Sequence, residues 1–305
     1  MENLHKELKE KREVSDTTAS LYLKNLMNLN NGVAFNNLAF LKQKEGIANR
    51  LNEYAESTRK AVLGGIVSTL SLVKDKAAYK ALHRYYADKL DAMKKDGEGK
   101  DQTQKTEKQE KNWMSWDSIQ EVKKELDKRV AEIKSKKQIT AQDYDALLNA
   151  VVLSLYTEIP PRRNQDYQLM MVTKKWGDKH VADVNWLDLA GKQFVFNVYK
   201  TAKTHGQQKL PIPDSLMETL KVYLKNHPGS GKADFRFLVA ADGSPLTAVN
   251  AVTRILNRIF GKNVGTTMLR HIYLSDKYDI KEMTEDAEAM GHTLEVQKEY
   301  MKAKE

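Results

Sequence analysis

The chain has 305 residues, of which 41% are hydrophobic and 30% charged, and this length predicts two domains rather than one. Its 50 Lys and Arg residues exceed its 41 Asp and Glu residues, a formal net charge of +9 that favours a polyanionic partner such as nucleic acid. The absence of cysteine excludes disulfide bonds, thiolate nucleophiles and cysteine-based zinc sites.

The sequence predicts a soluble protein without a membrane segment. Its first residues, MENLHKELKEKREV, are charged and lack the apolar stretch of a signal peptide. The longest weakly polar run, residues 61–73, is too short to span a bilayer and contains two glycines. We therefore expect an intracellular protein that does not bind membranes.

Residues 1–93 are predicted to form a small helical domain. The stretch SDTTASLYLKNLMNL begins with the candidate caps Ser15 and Asp16 and repeats leucine at near-helical spacing. Ser57 is the candidate cap of a later helix in ESTRKAVLGGIVSTLSLV. Four helical stretches in about 80 residues indicate an all-α domain.

A polar segment separates this domain from the next one. Residues 94–112, KKDGEGKDQTQKTEKQEKN, contain no large apolar side chain and therefore have nothing to bury. We predict a flexible linker there, followed by a second domain over residues 113–305.

The second domain is predicted to be mainly α-helical with a small three-stranded β-sheet, an α+β arrangement. Thr140 is the candidate cap of a helix that ends before Pro160 and Pro161. The runs QFVFNVYK and QKLPIP flank Gly206 and indicate a β-hairpin. Helical patterns resume at Asp214 and continue towards the C-terminus.

Five motifs in the second domain are candidates for chemistry. In chain order they are YTEIPPRRNQDY, the hairpin sequence VYKTAKTHGQ, the helical TTMLRHIY, the Gly-His pair in MGH, and a tyrosine near the chain's end. Each alone has an ordinary structural explanation, such as a salt-bridged corner, a solvated turn or core packing. An Arg-His pair at the start of a helix would also suit an anion, because the positive end of the helix dipole lies there.

The order and spacing of these motifs resemble the catalytic domain of the tyrosine recombinases, or phage-type integrases, in the form found in viruses and mobile elements. The resemblance covers most of the chain and implies a helical core-binding domain followed by a recombinase catalytic domain. Position by position, it implies a catalytic set of Arg163, Lys200, Arg270, His292 and Tyr300. Arg163 is preferred to Arg162 because Asp166 follows it by three positions, and Lys203 is the alternative lysine.

The resemblance implies site-specific DNA recombination. The tyrosine attacks a DNA phosphate and forms a covalent 3′-phosphotyrosine ester, which a DNA hydroxyl later attacks. Two arginines stabilise charge on the non-bridging oxygens, and the lysine gives a proton to the departing 5′ hydroxyl. Such chemistry needs no metal, ATP or other cofactor. It implies double-stranded DNA as the partner and a homo-oligomer, a tetramer, on paired DNA sites.

Further polar and basic side chains are candidate DNA contacts, because phosphates dominate most protein–DNA affinity. They lie in STRK of the first domain, in TRILNRIFGKN of the second and beside the catalytic set. They are Arg59, Lys60, Arg162, Lys203, Arg254, Arg258, Lys262 and Thr267, the last through its hydroxyl. A solvated helix face is the alternative explanation for the first two groups.

Two features depart from the family pattern. Thr267 occupies a position where the family commonly has a histidine, and only MKAKE follows Tyr300, where the family often has a helix that docks on a neighbouring subunit. Three alternatives stay open at this point. They are strand relaxation of the type IB topoisomerase kind, a catalytically silent DNA-binding protein with the same fold, and an all-α RNA-binding or scaffold protein.

Overall fold

The computed structural model of the chain describes residues 1–98, 104–177 and 179–279, together with residues 283 and 290. The chain divides into two compact units, Met1–Gln104 and Lys105–Glu305. It is mainly helical with one small mixed sheet. No helix in the described ranges combines the length and the apolar character needed to cross a bilayer.

The first unit is helical, as its leucine pattern predicts. One apolar core, which includes Leu23, Leu26, Ile66 and Tyr86, joins its helices. Within residues 1–98 these are α1 (Glu2–Arg12), α2 (Asp16–Leu29), α3 (Lys44–Glu53), α4 (Glu56–Leu70) and α5 (Ala77–Glu98), with a short 3-10 turn at Ala39–Lys42.

The two predicted caps in this unit have different outcomes. Ser15 caps α2 as predicted, because its side-chain oxygen accepts the backbone N–H of Thr18. The prediction for Ser57 is wrong. The helix α4 begins one residue earlier, at Glu56, after Ala55, and no side chain caps it.

The boundary between the units lies within residues 94–112, but this segment differs from the predicted linker at both ends. The helix α5 continues into it, and α6 (Glu107–Asn112) occupies its last part. Polar residues can form these helical segments because a helix surrounded by solvent needs no apolar neighbour to pack against. A capping box stabilises α6, in which Thr106 accepts from the N–H of Gln109 and the Gln109 side chain accepts from the N–H of Thr106.

The second unit is organised around one buried helix, α8 (Ala141–Thr157). Every residue from Ala150 to Tyr156 is buried, so its apolar run has no solvated face. The helices that pack against it are α7 (Trp116–Lys134), α11 (Asp214–Lys225), α12 (Ala251–Phe260) and α13 (Thr266–Lys277). The two short helices α9 (Asn164–Gln168) and α10 (Ala202–His205) lie in connecting segments.

Thr140 caps α8, as predicted. It forms a capping box with Asp143, whose carboxylate also pairs with Lys136 (2.8 Å) and Arg129 (2.7 Å). The hydrogen bond from Lys136, followed by the backbone N–H of Thr140, lowers the pKa of Asp143 to about 2. These ion pairs thus hold the start of α8 against α7 and against the loop between the two helices.

The sheet has five strands, so the prediction of three is wrong. Its order is β4 (Gln208–Pro211), β3 (Gln193–Phe196), β2 (Trp186–Asp188), β1 (Met171–Thr173) and β5 (Asp234–Arg236). Strands β1 and β2 are parallel and the other pairs are antiparallel. Strands β1 and β5 were not predicted, because both are short and neither forms a hairpin with the next strand in sequence, as β2 does with β3.

The predicted hairpin is confirmed. Strands β3 and β4 pair antiparallel on either side of residues 197–207, and Gly206 has a positive φ of 65° that a side chain would strain. One face of the sheet, with Val172, Leu187 and Phe194, belongs to the core around α8. The hairpin loop therefore projects from a strand pair whose base is anchored in that core.

Candidate functional site

The two consecutive arginines lie between α8 and α9. Pro160 and Pro161 follow α8, and Arg163 is the N-cap of α9 with an extended backbone (φ −74°, ψ 151°). Its carbonyl accepts the N–H of Asp166 (3.0 Å), which begins the helix. Neighbouring side chains on an extended backbone point in different directions, and Arg162 and Arg163 have different partners accordingly.

Arg162 is surrounded by protein groups. Its Nε donates to Asp166 Oδ2 and its Nη1 donates to Gln208 Oε1 on β4, both over 2.9 Å. Its guanidinium carbon lies 3.8 Å from the ring centroid of Phe196 and 5.0 Å from that of Tyr199. The side chain is 19% exposed and connects the start of α9 to the β3–β4 hairpin.

Arg163 has fewer polar partners than Arg162. It is half-buried, and its guanidinium makes no hydrogen bond or ion pair within the described ranges. Its positive charge favours the ionised form of Asp166 and disfavours the charged form of Arg270. Arg163 therefore lies near a second arginine without a carboxylate of its own.

Arg270 comes from α13. It lies in the second turn rather than at the helix start that its motif suggested, because the helix begins at Thr266. Its Nε donates to Thr266 O (3.4 Å) and its Nη2 donates to Thr267 Oγ1 (3.1 Å). Burial lowers the pKa of Arg270 and the charge of Arg163 lowers it further, against the effects of Tyr156 and Asp166. A guanidinium remains charged in spite of such a shift.

Close packing holds α13 in this position. Gly265 is its N-cap, and a Cβ added there would lie 2.9 Å from Thr253 Cγ2 on α12. The segment before α12 is bonded to α9, because Gln168 Nε2 donates to the carbonyls of Leu246 (2.7 Å) and Ala248 (2.6 Å). These contacts join the helix of Arg270 to the helix that Arg163 caps.

Three buried polar groups adjoin the arginines. Asp166 is 3% exposed, and burial raises its pKa against the opposing charges of Arg162 and Arg163. The hydroxyls of Tyr156 and Tyr167 are buried and have no hydrogen-bond partner among the described residues. Burial raises the pKa of Tyr156, which also interacts with Asp166 and Arg270. Tyr156 and Tyr167 are the first and last residues of YTEIPPRRNQDY, and sequence reasoning missed them because core packing also explains an aromatic residue at these positions.

Lys200 and Lys203 are exposed on the hairpin loop. Lys200 directly follows Tyr199, whose ring lies against Arg162 and whose hydroxyl donates to Gly206 O (2.7 Å). Neither lysine has an ion pair within the part of the chain that the structure describes. The base of the loop therefore contacts Arg162, while its basic side chains face solvent.

The last two members of the predicted catalytic set, His292 and Tyr300, lie outside the described residues. Thr267 is exposed and bonded to Arg270. The site that the structure describes thus contains three guanidinium groups, from Arg162, Arg163 and Arg270, around the single carboxylate of Asp166. Positive charge is in excess there, which suits an anion.

The other candidate DNA contacts lie elsewhere. Arg254 and Arg258 are exposed on α12 and border a groove of about 330 Å³, where Arg258 Nη2 donates to Asn149 Oδ1 (3.3 Å), and Lys262 is exposed after that helix. In the first unit, Arg59 donates to three backbone carbonyls at the end of α3, and Lys60 pairs with Glu56 (3.3 Å).

No cluster of three or more His, Asp or Glu side chains suited to a metal ion occurs among the residues that the structure describes. No protein-family model, no curated protein and no solved structure matches the chain.

Proposed function

We propose that the chain is a tyrosine-type DNA recombinase, which cleaves DNA and rejoins it through a covalent phosphotyrosine intermediate on Tyr300. The supporting observation is the approach of two positively charged groups, Arg163 at the N-cap of α9 and Arg270 in α13. Their mutual repulsion works against folding, and an anion bound between them relieves it. A phosphodiester is the anion that best suits two guanidinium groups on a basic protein.

In the proposed reaction, the phenolic oxygen of Tyr300 attacks the phosphorus and the bond from phosphorus to the 5′ oxygen breaks. Lys200 gives its proton to that departing oxygen, and His292 holds a phosphate oxygen or assists the departure of the tyrosine proton. A DNA hydroxyl later attacks the phosphotyrosine ester and releases Tyr300. Bond energy is retained in the ester, so resealing requires no nucleotide hydrolysis.

Arg163 and Arg270 stabilise the negative charge that builds up on the non-bridging oxygens in the transition state. Removal of one preorganised donor of this kind slows catalysis by about 10²–10³-fold. Thr267 orients Arg270 through the hydrogen bond to its Nη2. The partner is double-stranded DNA, bound largely through phosphates and therefore sensitive to salt, with a tetramer on paired sites as the active assembly.

A covalent-trapping experiment tests this function. A pool of nicked duplexes with randomised flanks, in which cleavage releases a short strand and cannot be reversed, is incubated with the full chain in EDTA. We expect a denaturant-resistant protein–DNA adduct with the wild type and with Tyr278→Phe, and none with Tyr300→Phe. Tyr278 is a suitable control because it is an exposed tyrosine in the same part of the chain.

The other outcomes identify the alternatives. An adduct that survives Tyr300→Phe rejects this nucleophile. A wild-type chain that binds the pool tightly and forms no adduct indicates a DNA-binding protein without catalysis. Relaxation of supercoiled plasmid without any exchange between paired sites indicates a topoisomerase-like activity.

A further inference from the structure

The hairpin loop 197–207, which bears Lys200, is fastened at its base by two side chains. One is Arg162, which precedes α9, and the other is Asn185, which precedes β2. Neither belongs to the predicted catalytic set, and nothing in the sequence around Asn185 indicated a role for it. Their contacts join the arginine turn to both ends of the loop.

Arg162 contacts the two edges of the hairpin. Its Nη1 donates to Gln208 at the start of β4, and its guanidinium lies over Phe196 at the end of β3 and over Tyr199 in the loop. Its Nε is bonded at the same time to the buried carboxylate of Asp166. Only a planar group with several donors makes all of these contacts together, so lysine cannot replace it.

Asn185 makes the second connection. It is 5% exposed, and its Nδ2 donates to Asp166 O (2.8 Å) and to Val198 O (2.9 Å). Its Oδ1 accepts the backbone N–H groups of Asn197 and Val198, each over 2.8 Å. All four hydrogen-bonding positions of the amide are used, which fixes the first residues of the loop relative to α9.

We propose that Arg162 and Asn185 form a clamp that positions Lys200 beside the Arg163–Arg270 site, and that Arg162 acts through this clamp rather than by binding a DNA phosphate. This inference rests on the proposed function for the role of Lys200. The clamp itself is a property of the folded chain and is measurable without DNA. Arg162 and Asn185 are positioning residues in this scheme, because neither contacts the reacting phosphate.

The first experiment measures amide hydrogen exchange of the full chain without DNA. We expect Arg162→Met and Asn185→Leu to accelerate exchange in residues 197–207 by at least tenfold while α11 keeps its wild-type protection. Arg163→Met is the matched control and should leave the loop unchanged, since Arg163 has no bond to the hairpin among the described residues. Tyr199→Leu is the milder variant should Asn185→Leu fail to fold, and Tyr199→Phe is its control, because the phenylalanine loses only the hydroxyl bond to Gly206 O and keeps the ring beside Arg162.

Wild-type exchange of the loop in both Arg162→Met and Tyr199→Leu would overturn the clamp. This result is independent of any reaction with DNA. The proposed function fails separately, when the wild-type chain forms no adduct in the trapping experiment.

The second experiment asks whether the clamp acts on proton donation. The nicked duplexes are prepared with a sulfur atom in place of the bridging 5′ oxygen, because a thiol ionises near pH 8.5 and leaves without a proton donor. We expect Arg162→Met and Lys200→Ala to slow adduct formation on ordinary DNA by about 10²-fold or more. Both should approach the wild-type rate on the sulfur substrate, whereas Arg163→Met should stay slow.

A merely structural defect would not be rescued by a change of leaving group. If sulfur restores Lys200→Ala but not Arg162→Met, Arg162 does not act through Lys200 and the proposal is wrong. The Arg162→Lys variant provides a further comparison, and we expect it to behave like Arg162→Met, since an ammonium cannot make the same set of contacts.

Discussion

Arg163 and Arg270, which cap α9 and lie in α13 respectively, are close enough for the charge of Arg163 to lower the pKa of Arg270. The carboxylate of Asp166 interacts with both and is hydrogen-bonded to Arg162. Two like charges in partly buried positions are a cost to folding that a bound anion offsets. Surplus positive charge at a site where helices converge is typical of binding sites rather than of structural ion pairs.

Removal of one of these charges should therefore not weaken the fold. We expect Arg163→Met to raise the Tm of the second unit by about 1–3 °C at low salt, because a like-charge contact that is still partly solvated costs a few tenths to 1 kcal/mol. The gain should disappear as salt screens the repulsion. Calorimetry at two salt concentrations measures it, with Arg258→Met as the control, whose guanidinium is bonded to Asn149. A loss of stability in Arg163→Met at low salt would contradict the repulsion.

Loss of the cap of α8 should lower the free energy of unfolding more than loss of the cap of a solvated helix. Thr140→Ala removes the acceptor for the N–H of Asp143 at the start of buried α8, and we expect a loss of about 1 kcal/mol in the free energy of unfolding. Thr106→Ala removes the equivalent cap from the short exposed α6 and should cost less. Denaturant unfolding compares the two variants, and Thr140→Ser should restore most of the loss. Equal losses would show that burial of α8 has no influence on the cap.

Protonation of His227 should lower the stability of the second unit at acid pH. Its ring lies between Tyr223 and Phe235, and burial lowers its pKa to about 4. The unfolded chain binds this proton near pH 6.5, so the stabilising effect is complete above pH 6.5 and is lost as the pH falls towards 4. We expect His227→Gln to flatten the pH dependence of unfolding in that window.

His83→Gln is the control for the pH dependence of unfolding. Burial, together with Lys74 and Arg12, lowers the pKa of His83 as well, but this residue lies in the first unit. The protection of α11 amides against exchange reports the stability of the second unit alone. The pH dependence of that stability should persist in His83→Gln. Loss of that dependence in the control and not in His227→Gln would contradict the role of His227.

Arg59 and Lys60 should differ although they are neighbours in sequence. The Arg59 guanidinium donates to the carbonyls of Leu51, Asn52 and Tyr54 at the end of α3, so Arg59→Met should destabilise the first unit by about 1–2 kcal/mol. Lys60 forms a surface ion pair, and Lys60→Met should change stability by less than about 0.5 kcal/mol. Amide exchange in α3 and α4 measures both. Wild-type protection in Arg59→Met would contradict this structural role of Arg59.

Local signals in the sequence were enough to predict the features that local interactions stabilise. The caps Ser15 and Thr140 each bond to a backbone N–H three residues away, and the hairpin around Gly206 joins strands that are neighbours in sequence. The prediction for Ser57 was wrong because α4 begins after Ala55, which has no side chain to cap it, so residue preference for a cap did not decide where this helix starts. The position of Arg163 and Arg270 as candidates came from motif order, and this role stays a prediction.

The tertiary structure decided what depends on contacts between distant residues. Strands β1 and β5 exist because β1 pairs with β2 and β5 pairs with β1, and three residues without a partner have no preference for a strand. The different surroundings of Arg162 and Arg163 follow from the packing of the hairpin against α9, since the two residues are chemically identical and adjacent. The four hydrogen bonds of Asn185 arise in the same way. Hydrogen bonds across a folded core leave no local signal in the sequence. Caps and hairpin turns do, because they require particular residues at neighbouring positions.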